Sequence, residues 1–240
     1  MRPVSKGPAP YSKISHYSDA LPFLVDKIGP YCSYCGFAID HVPEVEHIAA
    51  KSAGGDLTAW DNLLLGCKYC NTRKSKLVGA LNADDYLWPD QYNTALAYQY
   101  DHGVPTINKV ALSAADPSGN ILRKAENLFD LVKLDHIPTP REKDRRFAKR
   151  NKIYETACES LERYQKFKET SPDHIDEFAK QIVVTATLGG FFSIWMSVFA
   201  EEPTILNALL DAFPGTEKEF YEENGSPKPI LECTHRTCTV

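Results

Sequence analysis

The sequence predicts an α+β protein in which a small core of short strands and one helix precedes a mainly α-helical C-terminal region. Two Cys-x-x-Cys pairs within residues 31–80 are accompanied by short runs of strand-forming residues. Beyond residue 120, apolar residues recur every three or four positions, as on one face of a helix. The chain has 240 residues, 43% apolar and 11% aromatic, which excludes disordered and low-complexity classes.

Residues 1–30 predict an N-terminal arm followed by a short helix. Residues 1–16 contain several prolines and are expected to be extended, and Ser18 is the expected N-cap of a helix that runs to Ile28. The beginning of the chain lacks the apolar run of a signal peptide. We therefore expect a cytoplasmic protein in a reducing compartment, where paired cysteines hold metal more often than they form disulfides.

Residues 31–80 form the predicted core, and residues 81–240 form a predicted accessory region that is mainly helical. A loose alternation around Asp101-His102-Gly103 predicts a hairpin. Periodicity and capping signals predict helices over residues 121–134, 142–168, from Ser171-Pro172-Asp173 to the residue before Pro203, and over 204–212.

One apolar stretch has about the length of a membrane span. Residues 181–200 carry no charge, but threonines, serines and the pair Gly189-Gly190 dilute their hydrophobicity. No basic cluster flanks the stretch. A buried or partner-facing helix is therefore the favoured interpretation, and no membrane is expected.

The formal net charge of −5 conceals an uneven distribution. Residues 141–152 contain seven basic residues against two acidic ones, whereas residues 201–240 contain eight acidic residues against three basic ones. The basic run has two open interpretations, a solvated helix face and a second surface that contacts phosphates. The overall charge therefore does not exclude a nucleic-acid ligand.

Four of the seven cysteines have the spacing of a metal site. Cys32 and Cys35 form one pair, and Cys67 and Cys70 form another after 31 intervening residues. Four thiolates suit tetrahedral Zn²⁺ with no open position, which is a structural site. Unrelated thiols would not show two matched gaps. Of the other cysteines, Cys158 is expected in a helix core, and Cys233 and Cys238 are interpreted as tail residues rather than as a second metal site.

The residues between the cysteine pairs carry the chemistry. Residues 42–48 and 63–65 predict two short strands, and residues 68–78 predict a helix, which sets Glu46 and His47 opposite Asn71. These cysteines, with Glu46-His47, Asn62 and Cys70-Asn71 in this order, resemble the HNH endonuclease family. That resemblance covers residues 32–76 and implies a ββα-metal core buttressed by structural zinc.

The resemblance implies a role for each of these side chains in hydrolysis of a phosphodiester. His47 would be the general base, since an imidazole with a pKa near ~6.5 accepts a proton at neutral pH. Glu46 and Asn71 would hold a divalent cation, with oxygen ligands that favour Mg²⁺ or Mn²⁺. Asn62 would orient the loop that carries the base without binding metal. Nearby cations would contact flanking phosphates, namely Lys68, Arg73, Lys74 and Lys76.

Further segments are similar to the PtuB-like nuclease subunits of Septu and retron anti-phage systems. These segments are Met1-Arg2-Pro3-Val4, residues 86–90, residues 190–196 and residues 212–216. The similarity implies a bacterial host, a DNA substrate and a hetero-oligomer with a PtuA-like ATPase, which the helical region would contact. The alternative is a zinc-binding adaptor subunit that binds nucleic acid or protein without cutting.

Overall fold

Residues 1–49, 54–75 and 82–230 are described by the computed structural model of the chain. In chain order the elements are α1 (Leu21–Ile28), β1 (Glu44–His47), β2 (Leu63–Gly66), α2 (Lys68–Ser75), β3 (Tyr98–Asp101), β4 (Val104–Ile107), α3 (Lys109–Ala115), α4 (Asn120–Val132), α5 (Arg146–Thr170), α6 (Ile175–Gly189), α7 (Phe192–Val198) and α8 (Pro203–Ala212). The predicted α+β class is confirmed. The predicted end of α2 at Val78 lies outside the described residues.

Two antiparallel hairpins form the sheets. In the first, Val45 of β1 lies opposite Leu65 of β2, and His47 lies opposite Leu63. All four residues of β2 are buried, because the strand contacts α1 and α2 as well as its partner strand β1. The second hairpin, β3–β4, turns at His102 and Gly103, and both have a positive φ, as a tight two-residue turn requires. The predicted hairpin is therefore confirmed.

The predicted long helix before Pro203 is wrong, because the chain divides it into α6 and α7. Gly190 and Phe191 both have a positive φ, which ends the helix. Here the chain crosses the residue that follows the first cysteine pair: Phe191 donates a 2.6 Å backbone hydrogen bond to the carbonyl of Gly36. A Cβ on Gly190 would lie 2.7 Å from the Gly36 carbonyl oxygen, so this crossing requires glycine.

Two helix starts also differ from the sequence prediction. His16, rather than Ser18, caps the first turn, because its ring accepts from the Ser18 amide while Asp19 accepts from the His16 amide. Helix α5 begins four residues later than expected, at Arg146. Glu142 is bonded to His136 instead, and Asp144 accepts the Arg146 amide, so these residues lie ahead of the helix and not in its first turn.

The first residues of the chain are folded into the interior. Met1 and Val4 are buried, and Arg2 donates to the carbonyl oxygens of Ile28 at 2.5 Å and Pro214 at 2.8 Å. Arg2 thus caps the end of α1 and the segment after α8 with one guanidinium. The first four residues of the expected extended arm are therefore a buried segment that contacts both the N-terminal and the C-terminal parts of the chain.

Apolar side chains form two clusters. The first surrounds the cysteine-containing hairpin and includes side chains from Met1 to Leu134, together with Ile230. The second lies within α5–α8 and is centred on Trp195, Phe199 and Leu209. Residues 86–134 therefore supply much of the cluster around the first hairpin, while β3 and β4 also contact α7 and α5. Within the described residues, every helix is too short or too polar to cross a membrane.

Candidate zinc centre and active site

The two cysteine pairs converge at the end of the first hairpin. All four Sγ atoms lie within 4.8 Å of one another, and all four residues are buried. The Sγ atoms of Cys35 and Cys67 are 3.8 Å apart, which is about the edge of a tetrahedron of 2.3 Å Zn–S bonds and far longer than a disulfide. The cluster therefore fits Zn²⁺, and it joins the loop before β1 to the first turn of α2.

Two buried arginines of α5 lie beside this cluster. Arg146 donates to Cys70 Sγ at 3.3 Å and to the Val132 carbonyl at 2.9 Å, and it forms a bidentate pair with Asp144. Burial by itself lowers the pKa of Arg146, but the charges of Cys70 and Asp144 outweigh burial and raise it. Four thiolates around Zn²⁺ carry a net charge of about −2, which a neighbouring cation offsets.

Arg150 follows one turn later and is completely buried. Its Nε donates to the Gly103 carbonyl at 2.9 Å, while Nη1 and Nη2 have no hydrogen-bond partner within the described residues. Burial lowers its pKa, and the charges of Tyr100 and Cys35 oppose the decrease. The basic run of residues 141–152 is thus not a surface as a whole, because two of its charges lie inside the protein.

Glu46 lies on the face of β1 that α2 covers. Its side chain is 4% exposed, with Oε1 2.5 Å from Lys74 Nζ and Oε2 bonded to the Tyr34 hydroxyl. Lys74 also donates to the His47 carbonyl. Burial raises the pKa of Glu46, and the ammonium of Lys74 opposes this increase. A Cβ on Gly66 would lie 3.2 Å from Glu46 Cβ, so the glycine makes room for this carboxylate.

Asn71 is hydrogen-bonded to Glu44, whereas it was expected to hold a cation together with Glu46. Its Nδ2 donates to Glu44 Oε2 at 2.8 Å, and Glu44 Oε1 lies 3.2 Å from Lys68 Nζ. The structure thus brings Glu46 and Asn71 to the same side of the hairpin, but each is engaged by another side chain. As arranged, this pair does not fit a divalent cation, because both oxygens of Glu46 are already bonded.

Lys74 was expected to contact phosphate, and the structure contradicts this. Its side chain is 4% exposed, and its ammonium is bonded to the Glu46 carboxylate and to the His47 carbonyl. Lys68 is 71% exposed and available at the surface, and Arg73 is half-buried. Lys76 lies outside the described residues. The candidate phosphate contacts on the described part of α2 are therefore Lys68 and Arg73.

His47 ends β1 and is half-buried. Burial lowers its pKa, the hydrogen bond with Leu57 opposes the decrease, and the charge of Lys74 adds to it. Its Nε2 lies 3.1 Å from the Leu57 carbonyl oxygen, which can only accept. Nε2 therefore carries the hydrogen, and in the neutral ring Nδ1 has the lone pair that a general base needs.

Asn62 connects the two ends of the loop between β1 and β2. Its Oδ1 accepts from the Ala49 amide at 2.7 Å, and its Nδ2 donates to the carbonyls of Ala49 at 2.9 Å and Asp56 at 2.7 Å. All three bonds go to backbone groups close to His47 and Leu57. This geometry suits a residue that orients the loop, the role expected for it.

Three neighbours of the site had no assignment from the sequence, namely Tyr34, Arg146 and Tyr17. Tyr34 lies between the first two cysteines, so its position beside a metal-binding turn was the available signal. Arg146 was visible only as one charge in a basic run. Tyr17 packs edge-on against the His47 ring at 4.9 Å between centroids, and no pattern in the sequence indicated this contact.

Comparison with known proteins agrees with this geometry. Residues 32–77 match the family model described as HNH endonuclease. This segment contains the four-cysteine cluster and β1, β2 and α2, so the chain carries an HNH domain there. No curated protein and no solved structure gives a significant match to the chain.

Proposed function

We propose that this protein is a metal-dependent endonuclease that hydrolyses DNA phosphodiester bonds, with His47 as general base. The observation that carries the proposal is the hydrogen bond between His47 Nε2 and the Leu57 carbonyl, within a domain that matches the HNH family. It orients a neutral imidazole whose Nδ1 is able to accept a proton from water as the oxygen attacks phosphorus.

Divalent-cation dependence is supported by the HNH domain. Bound Mg²⁺ or Mn²⁺ would supply positive charge beside the departing 3′ oxygen. We retain Glu46 and Asn71 as its proposed ligands, on the condition that the Glu46 carboxylate leaves Lys74. The four cysteines hold a structural Zn²⁺, and Lys68 and Arg73 supply positive charge to the DNA backbone.

The test is cleavage of plasmid and single-stranded DNA with added Mg²⁺ or Mn²⁺ by wild type, His47→Ala and His174→Ala. His174 is an exposed histidine directly before α6, remote in sequence from the HNH domain, and is the control. We expect His47→Ala to lose about 100- to 10,000-fold in rate and the control to retain full rate. Equal cleavage by His47→Ala, at unchanged zinc content, refutes the proposed base.

A non-cleaving zinc adaptor is the second candidate, and the buried Glu46–Lys74 pair favours it. An adaptor binds DNA or protein but does not cleave DNA, whichever divalent cation is added and whether or not an ATPase partner is present. If the wild-type protein cleaves DNA and the His47→Ala variant does not, the adaptor is excluded. Binding without cleavage, in the presence of the partner, supports it.

We also propose that the protein acts in bacterial cytoplasm as the nuclease of an anti-phage complex with a PtuA-like ATPase. The family model describes HNH endonucleases in general and does not identify this subfamily. The support comes from the four segments that are similar to PtuB-like subunits. Met1, Trp88, Trp195 and Phe213 of those segments are all buried, so the segments shape the fold rather than a partner surface.

The exposed apolar side chains of α6 are the proposed contact with the ATPase. Val184 is 50% exposed and Leu188 is 77% exposed on this helix. Leu188→Glu should abolish co-elution with the ATPase encoded beside the nuclease gene. Val110→Glu, at an 82% exposed valine of α3, is the control and should co-elute. Co-elution of both variants excludes α6 as the contact.

A further inference from the structure

Two aromatic rings, tilted relative to each other, lie beside the proposed general base. The ring centroids of His16 and Tyr17 are 4.3 Å apart with an interplanar angle of 35°, and those of Tyr17 and His47 are 4.9 Å apart with an angle of 69°. His16 is exposed, whereas Tyr17 and His47 are both half-buried. The row thus leads from solvent to the imidazole that is proposed to activate water.

The pair is held rigidly on the first turn before α1. The His16 amide donates to Asp19 Oδ2 at 2.9 Å, and its Nδ1 lies 2.7 Å from Ser18 Oγ. Ala20 and Leu24 anchor the same segment in the core, and each is 0% exposed. The rings are therefore positioned before any ligand arrives, which limits the entropy lost when one binds.

We propose that Tyr17, supported by His16, is a stacking platform for the base next to the scissile phosphodiester, and that the substrate is single-stranded DNA. This inference rests on the proposed nuclease function and specifies its substrate class. Bases inside a duplex already stack on their neighbours, whereas a single strand offers free base faces to aromatic side chains. The carboxylate of Asp19 beside the pair disfavours a phosphate at this position, which leaves the uncharged base as the complementary group.

The test measures stacking apart from cleavage. Wild type, Tyr17→Phe, Tyr17→Leu and Tyr17→Ala are titrated, without added divalent cation or chelator, into single-stranded oligonucleotides that contain 2-aminopurine. Tyr154→Leu is the matched control, because Tyr154 is likewise a half-buried tyrosine beside a histidine ring, His102, at 5.7 Å. Zinc content and thermal melting establish that each variant is folded.

We expect wild type and Tyr17→Phe to quench 2-aminopurine fluorescence on binding and to bind the single strand more tightly than the matched duplex. Tyr17→Leu and Tyr17→Ala should lose the quenching and about five- to hundredfold in affinity, and Tyr154→Leu should behave as wild type. Leucine preserves apolar packing without a π-face, so a purely packing role for Tyr17 would leave Tyr17→Leu at wild-type affinity and overturn the proposal.

The same variants separate this inference from the proposed function. Quenching that depends on Tyr17, in a protein that cleaves nothing with Mg²⁺ or Mn²⁺, supports the platform and refutes the nuclease. Cleavage that depends on His47, with equal binding by Tyr17→Leu and no quenching, supports the nuclease and refutes the platform. A loss in Tyr17→Phe equal to that in Tyr17→Ala assigns the effect to the hydroxyl and also refutes the platform.

Discussion

The guanidinium of Arg146 donates a hydrogen bond to the Sγ atom of Cys70 across 3.3 Å. Cys70 belongs to the HNH domain, whereas Arg146 begins α5, the longest helix among the described residues. The same side chain also bonds to the end of α4 through the Val132 carbonyl. A single buried cation thus joins the four-cysteine cluster to the helical region, where the charges of Cys70 and Asp144 stabilise it.

Arg146→Met should destabilise the protein by about 3 to 5 kcal/mol, because it leaves Asp144 and the thiolates without their buried cation. The measurement is the free energy of unfolding in urea at matched zinc content. Arg123→Met is the control, since Arg123 is about half exposed in its ion pair with Asp85 and should contribute less than about 1 kcal/mol. Equal stability of the two variants would show that Arg146 is not coupled to the zinc centre.

Cys67→Ser should lose about one zinc per chain and unfold the HNH domain, because binding of metal to this cluster supplies folding free energy. Metal analysis by mass spectrometry and circular dichroism check this outcome. Cys158→Ser is the control, since Cys158 lies in α5 outside the cluster, and it should retain the zinc. Unchanged zinc content in Cys67→Ser contradicts a closed four-cysteine site.

The buried pair of Glu46 and Lys74 should show strong energetic coupling. Lys74→Met alone should cost about 3 to 5 kcal/mol because the carboxylate then lacks its buried partner, and the double variant Glu46→Gln, Lys74→Met should recover part of that loss. Unfolding in urea provides the double-mutant cycle. The exposed pair of Glu159 and Arg163 is the control, with expected coupling below about 1 kcal/mol. Additive effects at Glu46 and Lys74 would refute their interaction.

Asn62→Asp should loosen the loop that carries Leu57, because the carboxylate cannot donate to the carbonyls of Ala49 and Asp56. The partly buried Ala49 carbonyl, left without a donor, costs about 1 to 3 kcal/mol, whereas water can satisfy the exposed Asp56 carbonyl. Hydrogen exchange at the Ala49 amide should therefore accelerate about 5- to 150-fold. Asn207→Asp is the control, since Asn207 donates to the Glu223 carbonyl at an exposed site. Protection at Ala49 equal to wild type would show that another group holds the loop.

The spacing of residues along the chain determined the architecture of the HNH domain. A two-residue gap between cysteines forms a metal-binding turn by local geometry, so Cys32, Cys35, Cys67 and Cys70 were identifiable without any tertiary contact. The hairpin at Asp101-His102-Gly103 was also identifiable from the sequence, because turn residues determine the backbone conformation of only the two or three positions around them.

Only the tertiary structure decided which charges reach solvent and where helices end. The sequence alone does not distinguish Lys74, Arg146 and Arg150 from surface cations. The partners that bury these side chains come from other elements, and proximity in sequence does not identify such partners. Gly190 ends α6 because the backbone of Gly36 crosses there. Local periodicity predicts the faces of helices, whereas burial of charge depends on contacts between residues distant in the chain, such as Cys70 and Arg146.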